Sequence, residues 1–230
     1  RMSITPRPEE IKKELEKVKM LDHPNILRLI TAYPEYGVFV YEWGDGGTLA
    51  DQTLSVKDKL KALIHVAEGL RYLHNHDLYH GDLKPQNVVI VGGICKIADL
   101  SSLRNALSRS SGRRSANCTP GFCAPEQIFS DLATEATKTF ELKNRRDVYQ
   151  LGNLALWLFG IDTIDGEEWS QDVVEKAAEQ LEKQIEGLGA LVRTMLARRP
   201  SERPHIARVV ERLVEIFERL FSAEFFSLQC

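Results

Sequence analysis

Several features that would settle the class of this chain at once are missing from it. It has only four cysteines in 230 residues, Cys95, Cys118, Cys123 and Cys230. None forms a C-x-x-C pair, and no histidine stands at zinc-ligand spacing beside one. Neither a structural zinc site nor a dense disulfide framework is expected, and the thiols read as reduced in a cytoplasmic setting. The longest apolar run, around residues 154–161, falls far below the ~18 residues a bilayer-spanning helix needs. No secretory-signal pattern is found near residue 1. Charge of one sign is lacking too. The 30 Lys and Arg against 33 Asp and Glu leave −3, so bulk charge steers the chain neither to nucleic acid nor to an anionic membrane. Internal repeats and low-complexity tracts are absent.

What is present is ordinary globular composition, 43% hydrophobic and 27% charged. A chain of this length forms one large domain or two small ones and needs no cross-link to fold. Pro8-Glu9-Glu10 opens a helix in which Ile11, Leu15, Val18 and Leu21 recur at helical spacing. Asp22-His23-Pro24-Asn25 ends it. Residues 26–32 and 38–43 read as strands joined by a turn at Pro34-Glu35-Tyr36-Gly37. Residues 56–75 form a long amphipathic helix, and residues 88–91 and 94–98 a hairpin around Gly92-Gly93. Residues 101–119, polar and basic, read as a loop. Residues 147–159 read as a buried helix, followed by helices near 171–185, 187–197 and 203–221.

The chemistry-bearing residues gather between the long helix and the hairpin. Tyr79-His80-Gly81-Asp82-Leu83-Lys84-Pro85-Gln86-Asn87 precedes the first hairpin strand, and Asp99-Leu100-Ser101 follows the second. An Asp, a Lys, an Asn and a second Asp thus emerge from neighbouring loop and strand ends. That set suits phosphoryl transfer: a base to orient a hydroxyl, a cation for the moving phosphoryl group, and two oxygen ligands for magnesium.

On these residues the sequence resembles the eukaryotic-type (Hanks-type) Ser/Thr protein kinases. His80 to Asn87 is similar to their catalytic loop H-R-D-L-K-P-x-N, and Asp99-Leu100-Ser101 to their D-F-G. Ala124-Pro125-Glu126 resembles the end of the activation segment. Asp147-Val148-Tyr149-Gln150-Leu151-Gly152 resembles the start of the central helix, and Arg203 the arginine that pairs with the A-P-E glutamate, here Glu126. Glu14 lies where the family keeps its helix-C glutamate, and Tyr41-Glu42-Trp43-Gly44 resembles gatekeeper and hinge. The resemblance implies an α+β, protein-kinase-like two-lobed fold: a partial small β lobe with helix C over residues 1–42, and a mainly helical large lobe over 43–230.

It implies further that Asp82 orients the attacking Ser/Thr hydroxyl and that Lys84 contacts the γ-phosphate. Thr119 would buttress both. Asn87 and Asp99 would hold Mg, and ATP would lie against Tyr41, Leu49 and Val89, with adenine on the backbone of Glu42 and Gly44. Val18, Leu29, His80 and Leu100 would stack as one spine, Val89, Leu49, Leu154 and Leu158 as the other. The implied partners are ATP and a protein substrate, without nucleic acid.

Three departures accompany the resemblance. Gly81 replaces the arginine that pairs with a phosphate on the activation segment, so phosphorylation there is expected to have less leverage. Leu100 and Ser101 replace Phe and Gly. No Gly-rich loop or V-A-I-K strand is found, and because the chain opens Arg1-Met2-Ser3, the first strands are expected to lie outside it. Weak activity is expected of the chain alone. Arg104, Arg109, Arg113 and Arg114 flank Ser108, Ser110, Ser111 and Ser115, which are candidate autophosphorylation sites. Two alternatives stand beside the protein-kinase reading: a pseudokinase scaffold, and a small-molecule kinase of the aminoglycoside or choline type, whose loop also reads H-G-D.

Overall fold

The structure is a computed structural model that describes residues 15, 16, 18–36, 38–100, 104–105, 119–136 and 139–227. Leu15, Glu16, Val18 and Lys19 are helical, in line with the first helix expected from the pattern. Glu14 lies outside the described residues, as do the serines and all but Arg104 of the arginines of the polar segment.

Two antiparallel strands follow, β1 (Leu29–Tyr33) and β2 (Val38–Tyr41), joined through a single 3₁₀ turn at Pro34–Tyr36. Helix α1 (Val56–Asn75) starts at Ser55, whose side chain accepts the Asp58 N–H and so satisfies one orphan donor of the first turn. Its buried face carries Leu60, Leu63, Val66, Ala67, Leu70 and Leu73, the spacing that a helix needs to turn one stripe inward. The short strand β3 (Leu78–Tyr79) leads into the polar loop, and the hairpin β4 (Val88–Val91) and β5 (Ile94–Ile97) leaves it.

The remainder is helical: α2 (Ser130–Ala136), α3 (Phe140–Leu158), α4 (Gln171–Gln184), α5 (Leu188–Met195) and α6 (Ile206–Ser227). Helix α6 lies along α1, and α4 packs on α5. One continuous apolar core runs from Val18 and Ile26 through α1 and α3 to Ile216 in α6. No helix among the described residues is long and apolar enough to cross a membrane.

Three local expectations need correction. Helix α3 begins at Phe140 rather than near 147, because Thr139 accepts the Leu142 N–H and starts it seven residues earlier. Helix α2 was not expected at all. Arg104–Asn105, read as loop, pairs antiparallel with β3 as strand β6; a partner strand distant in sequence overrides the local polarity.

Candidate active site

The loop from His80 to Asn87 is shaped from below by α3. Four polar residues of that helix, Asn144, Asp147, Gln150 and Asn153, are each at most 3% exposed. They recur every third residue, so they form one buried polar stripe along a helix that also buries Val148, Tyr149, Leu151 and Leu154. Asp147 accepts the backbone N–H of His80 through Oδ2 at 2.9 Å and that of Gly81 through Oδ1 at 2.7 Å. Its Oδ2 also lies 2.8 Å from His74 Nε2. Burial alone would raise its pKa, but the hydrogen bonds from His74 and the Gly81 N–H, with the nearby imidazoles, outweigh that and hold it below the ordinary range. Gln150 adds two bonds, accepting the Leu83 N–H at 2.9 Å and donating to the Gly81 carbonyl at 3.1 Å. Gly81 itself sits at φ 83, a left-handed conformation in which glycine carries no Cβ penalty.

His80 is fully buried. Its Nδ1 accepts the Asp82 N–H at 3.3 Å and its Nε2 faces the Ala98 carbonyl at 2.9 Å. These two roles together fit the neutral Nε2–H tautomer. The histidine is therefore a packed strut between the loop and the end of β5.

Above this frame the predicted catalytic residues meet. Asp82 accepts the Lys84 Nζ at 2.9 Å on Oδ2 and the Thr119 hydroxyl at 2.8 Å on Oδ1. Lys84 Nζ also donates to Thr119 Oγ1 at 2.8 Å. Three residues spread over 37 positions of chain thus close one triangle around a half-buried carboxylate. Asn87 donates its Nδ2 to the Asp82 carbonyl at 2.9 Å, a bond that does not use its Oδ1. The Asn87 carbonyl accepts the Ala98 N–H at 2.8 Å, bringing the two predicted metal residues, Asn87 and Asp99, to adjacent chain ends. Asp99 is exposed and has φ 54, a conformation that costs a non-glycine residue about 1–3 kcal/mol. Leu100 is 1% exposed and lies in the core, as expected of a residue filling the apolar slot.

The predicted nucleotide-side residues line up along the hinge. Tyr41 packs against the core and Leu49 is fully buried. Gly44 lies so close to Val89 that a Cβ there would stand 2.1 Å from Val89 Cγ1. Glu42 contributes something the sequence did not reveal. Its carboxylate, rather than its carbonyl, accepts the Arg28 N–H at 2.8 Å and also pairs with Lys96 Nζ at 2.7 Å. Burial pushes its pKa up, but Lys96 and the Arg28 N–H outweigh that and the net shift is downward. The Glu42 carbonyl and the Gly44 N–H make no hydrogen bond among the described residues.

The predicted Glu126–Arg203 pair is formed, bidentate at 2.8 and 2.7 Å and almost wholly buried. The remaining guanidinium N–H groups reach the carbonyls of Ala197, Arg145 and Arg198, so all five donors are satisfied. Burial works against ionisation of Glu126, yet Arg203 draws its pKa below the ordinary value. The thiols divide. Cys95 is free and buried, its pKa pushed up to about 11 by desolvation and then by Asp58. Cys123 is disulfide-bonded, which corrects the expectation that the cysteines are reduced.

Sequence reasoning missed Gln150, Asn153 and the Glu42 side chain. For the first two a signal existed: polar residues at three-residue intervals in a stretch expected to be buried are there to answer backbone groups. For Glu42 none did.

Comparison with known proteins agrees with this geometry. Residues 2–214 match the family described as "Protein kinase domain". U-box domain-containing protein 33 of Arabidopsis thaliana is 31% identical over 165 residues, 66% of this chain and 19% of that protein. Serine/threonine-protein kinase GRIK2 of Arabidopsis thaliana is 36% identical over 127 residues, 51% of this chain and 31% of that one. CBL-interacting protein kinase 21 of Oryza sativa subsp. japonica is 34% identical over 133 residues, 53% of this chain and 25% of that one. The chain thus spans roughly a fifth to a third of the length of these relatives. With helical lobe, polar loop and buried Glu126–Arg203 pair in place, the chain belongs to the protein kinase domain family, as a Hanks-type Ser/Thr kinase catalytic domain.

Proposed function

We propose that this chain transfers the γ-phosphoryl group of ATP to a serine or threonine hydroxyl of a protein. The observation that carries this reading is the closed triangle of Asp82, Lys84 and Thr119, with both Asp82 oxygens already oriented by donors. Asp82 orients the substrate hydroxyl and takes its proton as the new O–P bond forms and the bond to the departing ADP breaks. Lys84, 2.9 Å from Asp82, offsets charge on the transferred group. Asn87 and Asp99 supply hard oxygen donors that fit Mg²⁺, which would neutralise phosphate charge. Adenine would use the free Glu42 carbonyl and Gly44 N–H, with Leu49 and Val89 as its apolar contacts. The role of the Glu42–Lys96 pair is then to keep that carbonyl unengaged.

The loop is pinned by four hydrogen bonds to Asp147 and Gln150. Such a frame supplies catalysis by positioning and by preoriented charge. Glu126–Arg203 braces the segment next to Thr119, a platform suited to a polypeptide substrate. The test is transfer of γ-labelled phosphate by the full-length protein. Label on serine or threonine of a generic protein substrate, and none on choline or an aminoglycoside, is the expected result. No transfer to any acceptor, with folding intact, would leave the scaffold reading in its place.

A further inference from the structure

Thr119 completes the triangle with Asp82 and Lys84, yet it stands on a short turn and not on a helix or strand. Its carbonyl accepts the Phe122 N–H at 3.0 Å, and the Cys123 sulfur lies 3.3 Å from the same oxygen. Pro120 is the second residue of this turn and Gly121 the third, at φ 84. That is the residue order of a type II turn, whose third position requires a positive φ. The contacts inside the turn converge on the Thr119 carbonyl and leave the Gly121 N–H unanswered.

Asp165 answers it from outside. Its Oδ2 accepts the Gly121 N–H at 2.7 Å, a short bond of the kind a charged acceptor makes. Its Oδ1 accepts the Glu167 N–H at 3.1 Å, so both carboxylate oxygens are oriented. The residues on either side of Asp165 are anchored as well. The Ile164 N–H donates to Asn153 Oδ1 at 2.8 Å. The Ile164 carbonyl accepts Asn153 Nδ2 at 3.0 Å and the Tyr149 hydroxyl at 2.8 Å. Asn153 and Tyr149 both belong to α3 and are fully buried. On the other side, the Gly166 N–H donates to the Cys123 carbonyl at 2.8 Å. A Cβ on Gly166 would stand 2.7 Å from the Pro125 nitrogen, so the two backbones touch. The Asp165 carboxylate is thus fixed between the helical core and the segment that follows Thr119.

We propose that Asp165 is a positioning residue. By capping the Gly121 N–H it holds the turn that begins at Thr119, and so keeps the Thr119 hydroxyl between Asp82 and Lys84. The proposal rests on the protein-kinase reading above and goes beyond it, because Asp165 lies 44 residues after Gly121 and makes no hydrogen bond to any member of the triangle. Its influence passes through the placement of one hydroxyl, and small misplacements of a reacting group are costly. The loss of Asp165 therefore falls on the rate of transfer. ATP affinity is spared, because the proposed ATP and Mg residues Leu49, Val89, Asn87 and Asp99 stand on other elements.

The experiment uses full-length protein, with label transfer from ATP to casein and amide hydrogen exchange over residues 121–124. Asp165→Ala should lower kcat about ten-fold and leave the KM for ATP within about two-fold. Exchange at the Gly121 amide should quicken about ten-fold. Asp165→Asn keeps an acceptor oxygen and should restore most of both, while the exposed neighbour variant Glu168→Gln should change neither. Thr119→Val should lower kcat by about 10²-fold. Adding Asp165→Ala to it should cost less than about two-fold more, since two residues acting through one hydroxyl are not additive. Multiplying effects in that double variant, or Gly121 exchange untouched by Asp165→Ala, would overturn the proposal. If the wild type transfers nothing to casein while Asp165→Ala quickens exchange, the kinase reading falls and the brace on the turn stands. If transfer is equal in wild type and Asp165→Ala, the kinase reading stands and the positioning role falls.

Discussion

The loop from His80 to Asn87 and the β1–β2 ribbon rest on one core but are held in opposite ways. In the loop almost every backbone group from His80 to Leu83 is answered by a buried side chain of α3 or by its own neighbours. In the ribbon the two strands pair with each other, and Ile30, Tyr33, Val38 and Val40 stand 58%, 48%, 45% and 37% exposed. A two-stranded ribbon is marginal by itself; this one leans on the core through Leu29 and Tyr41. The contrast fits what the proposed function asks of each part. Charge stabilisation at a reacting centre works only when the donors are already in place. A ribbon that presents one hinge edge needs no such frame.

Mutations can sharpen that contrast or break it. Asp82→Asn should lower phosphoryl transfer about 10²- to 10⁴-fold, while the thermal midpoint moves by less than about 3 °C. Labelled-phosphate transfer and a melting curve read both, and an unchanged rate would remove Asp82 from the reaction. Arg203→Ala should cost about 3–5 kcal/mol in urea or guanidinium unfolding, because it leaves Glu126 charged, buried and alone; a loss under about 1 kcal/mol would mean that the pair is not the brace it looks like.

Acid comes next. Asp147 and Glu126 have folded pKa values below their unfolded ones. Their contribution is therefore complete above the unfolded carboxylate range, about 3.9–4.3. It is lost as pH falls through the lower folded values. Unfolding free energy followed downward from neutral pH should drop across that acid window, and Asp147→Asn should flatten part of the drop. Smallest of all, Val40→Thr in the ribbon should change stability by no more than about 0.5 kcal/mol. A loss of several kcal/mol in calorimetry would show that the ribbon is as tightly held as the loop.

Much of this was readable from the chain. Ser55 with the apolar stripe of α1 marks a helix through local physics alone, and the Gly92-Gly93 turn marks its hairpin the same way. His80 to Asn87, Asp99, Thr119, Glu126, Asp147 and Arg203 stand out because their order and spacing match one pattern. Other features depend on distant partners. The early start of α3 turns on one threonine cap among many candidates. The pairing of Arg104–Asn105 with β3 involves residues about 26 apart in sequence. The disulfide at Cys123 and the carboxylate of Glu42 taking the Arg28 N–H have no local signature.

By itself, then, the order of residues picked out the side chains proposed to do chemistry and most of the stretches that form helix or hairpin, since both follow from residue type and short-range periodicity. Only the tertiary structure decided that Asp82, Lys84 and Thr119 share one triangle, that α3 carries a buried polar stripe, and that Glu126 and Arg203 meet in the interior. Those are relations between residues tens of positions apart, and they exist only once burial has removed water as the competing partner for every donor and acceptor involved.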